Sequence, residues 1–387
     1  MIRFDAVSKQ FPDGTKAVDE LTLEAPTGKI TVLVGPSGCG KTTSLRMINR
    51  MINRMIKPTG GRIWIDDQDT AEMDEAQLRR GIGYVIQHAG LFPHRTIAAN
   101  IATVPMLLGW GKRKSEARAV ELLERVGLPA SYANRYPAQL SGGQQQRVGV
   151  ARALAADPPI MLMDEPFSAV DPVVREQLQD EFLRLQSDLG KTIVFVTHDI
   201  EEAIKLGDQV AVLRGSGNLA QLSDPAQLLA HPVDDFVADF VGKDRGYRAL
   251  SFQQSPQFPL LRESSVPLGA TPAQAAAAAR DGWVLVIDAD RRPLGWIEPG
   301  RITAPVRPEM LARGGTVATA GGPLRNALDA ALSSPSRRGV IVDDQGALLG
   351  TVRAYQVLAE IEERARPELD QADLERAGLR PGEETPG

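Results

Sequence analysis

Short apolar runs alternate with longer amphipathic stretches from Ile2 to about Gly242. A short, unbroken apolar run is typical of a strand that is buried on both faces, whereas the amphipathic stretches have the period of helices. The pattern therefore predicts an α/β domain with a largely parallel sheet. Its predicted strands include residues 30–34, 83–86, 160–163, 193–196 and 209–213.

The strand pattern is interrupted between Gln87 and Asp157. Helix-like stretches occupy this interval, for example Ser115 to Val126. We therefore predict a helical subdomain at about residues 88–157 within a first domain that covers residues 1–242.

The composition changes after residue 242. Residues 243–261 contain Gln, Ser and Pro without clear periodicity, which predicts a linker. Two strand–turn–strand units follow at 284–297 and 340–352, each after a short predicted helix with a proline near its first position. The repeat predicts a smaller α/β domain at residues 262–360, followed by a charged tail at 361–387.

Charge and cysteine content limit the classes of function. The formal net charge is −5, and residues 360–387 alone account for it with nine acidic and four basic side chains. The rest is balanced, which argues against a broad nucleic-acid-binding surface. Cys39 is the single cysteine, which excludes an intrachain disulfide and fits a reducing compartment. The chain also lacks an apolar run near 18 residues and a signal-peptide pattern, so we expect it neither to span a membrane nor to be exported.

A glycine-rich loop follows the predicted strand 30–34. Residues 35–42 read Gly-Pro-Ser-Gly-Cys-Gly-Lys-Thr, which is the phosphate-loop pattern in its required context. The glycines let backbone N–H groups face phosphate oxygens, Lys41 reaches the β and γ phosphates, and Thr42 can ligate Mg2+. The loop predicts a site for ATP and Mg2+ formed by Gly35, Ser37, Gly38, Cys39, Gly40, Lys41, Thr42 and Thr43.

Two carboxylates end another predicted strand. Asp164 and Glu165 come directly after the apolar residues 160–163. Asp164 can hold Mg2+ through water, and Glu165 can orient and deprotonate an attacking water. An acidic pair at a strand end is by itself more often a solvated turn, but next to a phosphate loop it predicts a hydrolytic site.

Four more motifs accompany these two. Gln87 follows the apolar residues 84–86, residues 140–147 read Leu-Ser-Gly-Gly-Gln-Gln-Gln-Arg, residues 168–171 read Ser-Ala-Val-Asp, and His198 lies between Thr and Asp. In this order, over residues 1 to about 242, the six motifs resemble those of the ATP-binding cassette (ABC) ATPases. The resemblance implies the P-loop NTPase cassette fold with its helical subdomain.

The same resemblance implies how the site works. Two cassettes pair head to tail, so that ATP lies between the phosphate loop of one and the signature motif of the other. Glu165 is then the general base, His198 holds the γ phosphate and the attacking water, and Gln87 senses both metal and water. Lys41 completes the implied catalytic set, and Thr42, Gln87 and Asp164 are the implied metal ligands. The remaining implied nucleotide contacts are Phe11, stacked on adenine, and Ser141, Gly142, Gly143, Gln144 and Asp171.

The chain departs from the family pattern in three places. Phe11 stands where a Tyr is usual, and Val170 replaces a Leu. Met-Ile-Asn-Arg occurs twice in tandem at 47–54, where similar cassettes carry one copy. Four extra residues amount to about 6 Å of helix, so either the helix gains a turn or part of the repeat loops out.

The transported solute can be inferred only by resemblance. Residues 87–94 resemble the segment that receives the permease's coupling helix in importers, and residues 228–245 resemble the cassette end of quaternary-amine importers, which carry glycine betaine, choline, carnitine or proline. Cystathionine β-synthase (CBS) modules follow there, and the repeat at 283–297 and 339–352 is similar to such a pair. The resemblance implies a subunit on the cytoplasmic face of the membrane, bound to permease subunits and served indirectly by an extracytoplasmic substrate-binding protein.

Some alternatives stay open. An importer ATPase for another small solute, such as an amino acid, is the main one. A DNA-repair cassette would carry a long coiled-coil insertion, a translation-associated protein would carry two cassettes, and an exporter would usually carry a fused membrane segment. The repeat segments 295–301 and 350–356 lack the hydroxyl and Asp of adenosine-binding CBS modules. The repeat domain is therefore either a dimer-stabilising module or a sensor of ionic strength, since salt screens surface charge pairs.

Overall fold

A computed structural model describes residues 1–50, 56–87, 90–168 and 170–364. Two compact units are present: Met1–Lys243 and the remainder from Asp244 onward.

A six-stranded sheet forms the centre of the first unit. Its strand order is β10-β9-β3-β8-β7-β6, and all neighbours are parallel except β10, which runs antiparallel to β9. Every residue of β3, β7 and β8 is buried, which explains their unbroken apolar runs and confirms the prediction of a parallel sheet. A second, antiparallel sheet has the order β2-β1-β4-β5. The strands are β1 Ile2–Gln10, β2 Lys16–Ala25, β3 Ile30–Val34, β4 Gly60–Ile65, β5 Gln68–Asp69, β6 Ile82–Val85, β7 Ile160–Asp164, β8 Thr192–Val196, β9 Gln209–Leu213 and β10 Leu219–Ser223.

Helices separate these strands. Within residues 90–159, all of which are described, the regular elements are helical, with α3 to α6 and two 3-10 turns at Ala130–Asn134 and Pro137–Gln139. A third 3-10 turn lies at Gly215–Gly217. The helices are α1 Lys41–Ile48, α2 Glu75–Arg80, α3 Ile97–Ile101, α4 Thr103–Leu107, α5 Lys112–Arg125, α6 Gly142–Leu154, α7 Pro172–Leu189, α8 Ile200–Leu206, α9 Pro225–Ala230 and α10 Asp235–Val241.

The first Met-Ile-Asn-Arg copy ends α1. Met47 and Ile48 are fully buried, and Arg50 turns the chain with a left-handed φ of 50°. The Arg50 guanidinium donates to the carbonyls of Thr70 and Met73, 3.0 and 3.1 Å away. Helix α1 therefore ends within the first copy; the second copy, at 51–54, lies outside the described residues.

The second unit contains two copies of one supersecondary pattern. In each copy a short strand pairs parallel with a middle strand, which pairs antiparallel with a third, and both copies have a register shift at the end of the middle strand. The sheets are β11-β12-β13 and β14-β15-β16. The strands are β11 Ser265–Pro267, β12 Val284–Ile287, β13 Pro293–Ile297, β14 Val317–Thr319, β15 Gly339–Val342 and β16 Leu348–Val352. The helices are α11 Arg245–Ala249, α12 Pro272–Ala278, α13 Leu324–Ser333 and α14 at 354–364, with 3-10 turns at Leu250–Phe252, Pro299–Arg301 and Pro308–Met310.

The segment expected to be a linker, 243–261, is folded into this second unit. Helix α11 begins at Arg245, Leu250 is buried in the core formed with α13, and Phe258 packs against that core. Leu261 exchanges two backbone hydrogen bonds with Thr351, of 2.8 and 3.0 Å. The linker prediction was wrong because a few apolar side chains, spaced irregularly among polar ones, attach the segment without a periodic signal. The charged tail predicted at 361–387 lies outside the described residues from 365 onward.

A buried arginine joins the two repeats. The side chain of Arg338, next to β15, is fully buried, and its Nε donates to Glu263 Oε2 at 3.0 Å, where Glu263 precedes β11. Its other nitrogens donate to the carbonyls of Arg280 and Trp283 at 3.0 and 3.2 Å. The Glu263 side chain is equally buried and also accepts from Thr351 Oγ1 at 3.0 Å. We call this set of contacts the Arg338 cluster.

Candidate active site

The predicted phosphate loop connects β3 to α1 and depends on two of its glycines. Gly35 and Gly40 have φ values of 157° and 94°. A Cβ on Gly35 would lie 2.3 Å from the Leu213 carbonyl oxygen, and one on Gly40 would lie 2.2 Å from that of Ala17. Neighbouring strands therefore press on the loop from both sides, and any side chain at either position would displace it.

The loop encloses the ammonium group of Lys41. Lys41 is buried, and its Nζ donates to the carbonyl oxygens of Gly35 and Pro36, at 2.7 and 2.9 Å. Ser37 and Gly38, at the tip of the loop, are exposed, whereas Cys39 is buried. Thr43 is half-buried in the first turn of α1. A cation inside the loop and free backbone at its tip together suit phosphate oxygens.

Two oxygen donors meet next to this loop. Thr42 Oγ1, in the first turn of α1, donates to Oδ1 of Asp164, at the end of β7, over 2.8 Å. Mg2+ is usually bound by one or two carboxylates together with substrate phosphates and water, and it prefers hard oxygen ligands. The donor set therefore fits Mg2+ bound with a nucleotide.

Glu165 stands where three motifs converge. It follows β7 with a left-handed φ of 46°, and its N–H donates to the Val196 carbonyl at 2.9 Å, which fixes it to the end of β8. Its Oε2 lies 3.1 Å from Nδ1 of His198 and accepts a hydrogen bond of 3.3 Å from Nε2 of Gln87. One carboxylate oxygen is thus contacted by a histidine and an amide from two different loops.

The signature residues form a separate group at the start of α6. Ser141 is the N-cap: its Oγ accepts from the Gln144 N–H at 3.4 Å, and Gln144 Oε1 accepts from the Ser141 N–H at 3.0 Å. Ser141 and Gly142 are exposed, and Gly143 packs beside Val174 of α7. The capping box engages the N–H groups of Ser141 and Gln144. The N–H groups of Gly142 and Gly143, which have no intrahelical acceptor at a helix start, are therefore the ones that suit an anion. Asp171 is exposed immediately before α7.

Phe11 lies in the turn between β1 and β2. It is half-buried, its N–H donates to the Thr15 carbonyl at 2.9 Å, and the Lys9 ammonium stands 5.3 Å from its ring centre. The turn continues into β2, which carries Ala17 against Gly40 of the phosphate loop. Phe11 therefore lies on the strand pair that flanks the loop.

Sequence reasoning missed two residues of the site. Arg46 Nη2 lies 3.2 Å from Oδ2 of Asp164, and the Tyr84 hydroxyl donates to the same oxygen at 3.3 Å. Burial, followed by the charge of Asp164, raises the pKa of Tyr84 to about 12, so the phenol stays protonated. The signals were present: Arg46 is four residues from Thr42 on one helix, and Tyr84 lies on β6, which pairs with β7.

The helices after Asp171 and His198 are joined by polar contacts, one of which is buried. Gln179 of α7 donates to Oε1 of Glu202 in α8 over 3.1 Å, and Arg175 Nη1 lies 3.7 Å from Asp199. Burial is the largest effect on Glu202 and raises the pKa of its carboxyl above the ordinary value of 4.5.

At the C-terminal end of α6, Arg152 donates to the Gly90 carbonyl at 2.7 Å, three residues after Gln87.

Comparison with known proteins places these motifs in a family. The family model described as "ABC transporter" matches residues 18–168. The osmoprotectant import ATP-binding protein OsmV of Salmonella typhimurium is 47% identical over 307 residues, which cover 77% of this chain and 79% of that protein. The carnitine transport ATP-binding protein OpuCA of Listeria monocytogenes and the glycine betaine/carnitine/choline transport ATP-binding protein OpuCA of Bacillus subtilis are each 52% identical over 245 residues. In those two the match spans only 60% and 63% of the relative's length.

A solved structure extends the likeness to three dimensions. The dimeric ABC cassette MJ0796, in a post-hydrolysis state bound to ADP and Pi, matches with a TM-score of 0.52 at 35% identity, covering 58% of this chain and 99% of that one. In the described part of the chain, each helix is too short or too polar to cross a bilayer.

Proposed function

Because the chain belongs to the ATP-binding proteins of the ABC transporter family, we propose that it is the ATP-hydrolysing subunit of an importer for glycine betaine or a related quaternary-amine osmoprotectant. The observation that carries the hydrolytic part is the convergence of Gln87 and His198 on one oxygen of Glu165, beside the Thr42–Asp164 pair. The solute is inferred from the relatives, whose names specify osmoprotectants, carnitine, choline and glycine betaine.

Each residue has a task in this proposal. The backbone at Ser37 to Gly40 and the Lys41 ammonium bind the β and γ phosphates, and Lys41 leaves the Gly35 and Pro36 carbonyls to do so. Bound Mg2+ neutralises phosphate charge, and Thr42 and Asp164 are the residues that hold it, with Gln87 as a further ligand.

Glu165 accepts the proton of the attacking water. A carboxylate whose Oε2 is contacted by Gln87 and His198 keeps its other oxygen available for that water. His198 orients the water and the γ phosphate, and Gln87 senses the bound metal and the water. Phe11 stacks on the adenine from the turn between β1 and β2.

The signature group serves a second copy of the chain. Ser141, Gly142, Gly143 and Gln144 lie at an exposed helix start that is separate from the phosphate loop, and Asp171 is exposed near them. In a head-to-tail homodimer this group donates to the γ phosphate held by the partner's loop. The dimeric cassette found in the structural comparison supports this arrangement.

The helical subdomain offers a surface for permease subunits. Leu107 and Met106 of α4 are 74% and 52% exposed, and Tyr136 and Phe92 are also exposed. Asn100 is fully buried and accepts from the Phe92 N–H, while its amide donates to the Phe92, Arg95 and Thr96 carbonyls, so residues 92–96 have a fixed shape. Exposed apolar groups on and beside a firmly held segment suit a docking site for an integral-membrane partner. Such docking places the chain on the cytoplasmic face of the membrane, and an extracytoplasmic binding protein delivers the solute.

The second unit is a regulatory pair of degenerate CBS-like modules. The repeated parallel-then-antiparallel strand pattern supports this assignment. The 307-residue match to the Salmonella protein is longer than the first unit, so that relative shares part of the second. Because 244–261 belongs to this unit, the test is a chain that ends at Lys243. We expect uptake that no longer responds to external salt; unchanged salt regulation would remove the sensor role.

Two experiments test the function. Glu165→Gln should retain ATP-induced dimers but lose at least about 100-fold in hydrolysis, with the exposed Glu176→Gln of α7 as the charge-matched control. Turnover retained in Glu165→Gln would move the general base elsewhere.

Uptake of labelled glycine betaine with and without the gene, at low and high osmolarity, tests the solute. Unchanged uptake combined with active ATPase would favour the alternative, an importer of another small solute such as an amino acid.

A further inference from the structure

The carboxylate of Asp164 has a neutral side and a cationic side. On one side, Oδ1 accepts from Thr42 Oγ1 at 2.8 Å. On the other, Oδ2 is contacted by the Arg46 guanidinium at 3.2 Å and by the Tyr84 hydroxyl at 3.3 Å. The Asp164 side chain is only 6% exposed, whereas Arg46 is 39% exposed.

The geometry of α1 produces this division. Thr42 and Arg46 are four residues apart on the helix that follows the phosphate loop, so they project from the same face in successive turns. Both reach the end of β7, which packs against α1, and they contact different oxygens of one carboxylate. Tyr84 approaches from β6, the parallel neighbour of β7.

We propose that Arg46 is a positioning residue that holds Oδ2 of Asp164 and offsets its charge, so that the Thr42–Asp164 pair binds a divalent cation only together with nucleotide phosphates. This inference rests on the proposed function, because it assumes that the pair is the metal site. Arg46 is five residues beyond the phosphate-loop lysine and is not one of the motif residues.

Electrostatics gives the direction of the effect. A carboxylate paired with a guanidinium is nearly neutral as a unit, and a divalent cation approaching Oδ1 is repelled by the guanidinium behind it. The phosphates of a bound nucleotide reverse this balance because they add several negative charges on the open side.

The test measures metal binding to the full chain without nucleotide. Free Mn2+ is titrated by electron paramagnetic resonance into wild type, Arg46→Gln, Arg46→Lys and Asp164→Asn. We expect Arg46→Gln to bind Mn2+ at least about tenfold more tightly than wild type, because removing one positive charge near the site is worth at least this factor. Arg46→Lys, which keeps the charge, should stay close to wild type. Arg46→Gln combined with Asp164→Asn should lose the gain, which assigns it to this carboxylate.

Several outcomes would overturn the inference. Free Mn2+ affinity in Arg46→Gln equal to that of wild type is one, and equal tightening in Arg46→Lys is another. Thermal melts of all variants in buffer with EDTA identify any that do not fold, and Tyr84→Phe supplies a second route: it keeps the charge, so its Mn2+ affinity should stay within about twofold of wild type. Binding of metal-free ATP to each variant separates this inference from the proposed function. If the proposed function is wrong, the wild-type protein itself does not bind ATP.

Discussion

Replacing Arg338 with methionine should destabilise the second unit strongly. The change leaves Glu263 with its side chain fully buried and without its cation. It also removes one of the donors to each of the Arg280 and Trp283 carbonyls, which keep the backbone hydrogen bonds that these two residues exchange. Removing one partner of a buried ion pair typically costs about 3–5 kcal/mol. For a domain of this size, that corresponds to a melting temperature lower by about 10–20 °C.

The double variant sharpens this prediction. When Glu263→Met is combined with Arg338→Met, the uncompensated charge disappears, and apolar side chains of similar volume fill the space. Such replacements of buried ion pairs are often neutral or stabilising, so a large part of the loss should be recovered. The recovery should be incomplete, because the buried Thr351 hydroxyl loses Glu263 as its acceptor. The exposed neighbour Arg337→Met is the matched control and should change the free energy of unfolding by less than about 0.5 kcal/mol.

Tryptophan fluorescence can report on the second unit alone. Trp283 and Trp296 belong to the second unit, and the Trp296 ring lies 4.9 Å from the Arg338 guanidinium, so urea unfolding is followed in a background with Trp64→Phe and Trp110→Phe. The buried pair does not join the repeats if the free energy of unfolding of Arg338→Met lies within about 1 kcal/mol of the wild-type value. The same conclusion holds if the double variant is no more stable than the single one.

Three further predictions follow from the first unit. Glu202 has a raised pKa in the folded state, so its contribution to stability is present below pH 4.5 and is lost as pH rises through the folded-state pKa. The melting temperature of Glu202→Gln should therefore increase relative to that of wild type as pH rises from 4 to 8. A difference in melting temperature that stays constant over this range would contradict the prediction. Gly40→Ala should abolish ATP binding measured by calorimetry, because its Cβ would lie 2.2 Å from the Ala17 oxygen, whereas Gly109→Ala, with nothing within 4 Å, should retain it. Deleting 51–54 should leave ATPase activity within about twofold of wild type, since residues 47–50 already fill buried positions; loss of folded protein would show that the second copy is needed.

Local patterns allowed much of the first unit to be predicted from sequence. The strands β3, β7, β8 and β9 were recognisable because each is buried on both faces and therefore has an unbroken apolar sequence. The phosphate loop was recognisable because its positive φ values favour glycine, which leaves a spaced glycine pattern in the sequence. The contacts that escaped prediction are long-range: Arg46 and Asp164 are separated by 118 positions, and Arg338 and Glu263 by 75. A buried ion pair leaves no periodic trace in the sequence, since each partner looks like an ordinary surface charge until the fold brings them together.

The two ends of α6 carry different partners. Ser141 caps its first turn and faces outward, and Arg152 in its last turn grips the Gly90 carbonyl in the loop after Gln87. Thirteen residues of helix extend over about 20 Å, and a rigid secondary element of this kind can carry energetic coupling between its two ends. We therefore expect a displacement of the signature end, when a second cassette closes on ATP, to shift the segment at Gly90, which lies next to the proposed docking surface for the permease. A substitution that frees Gly90 from Arg152 would uncouple hydrolysis from uptake while leaving every ligand of the nucleotide in place.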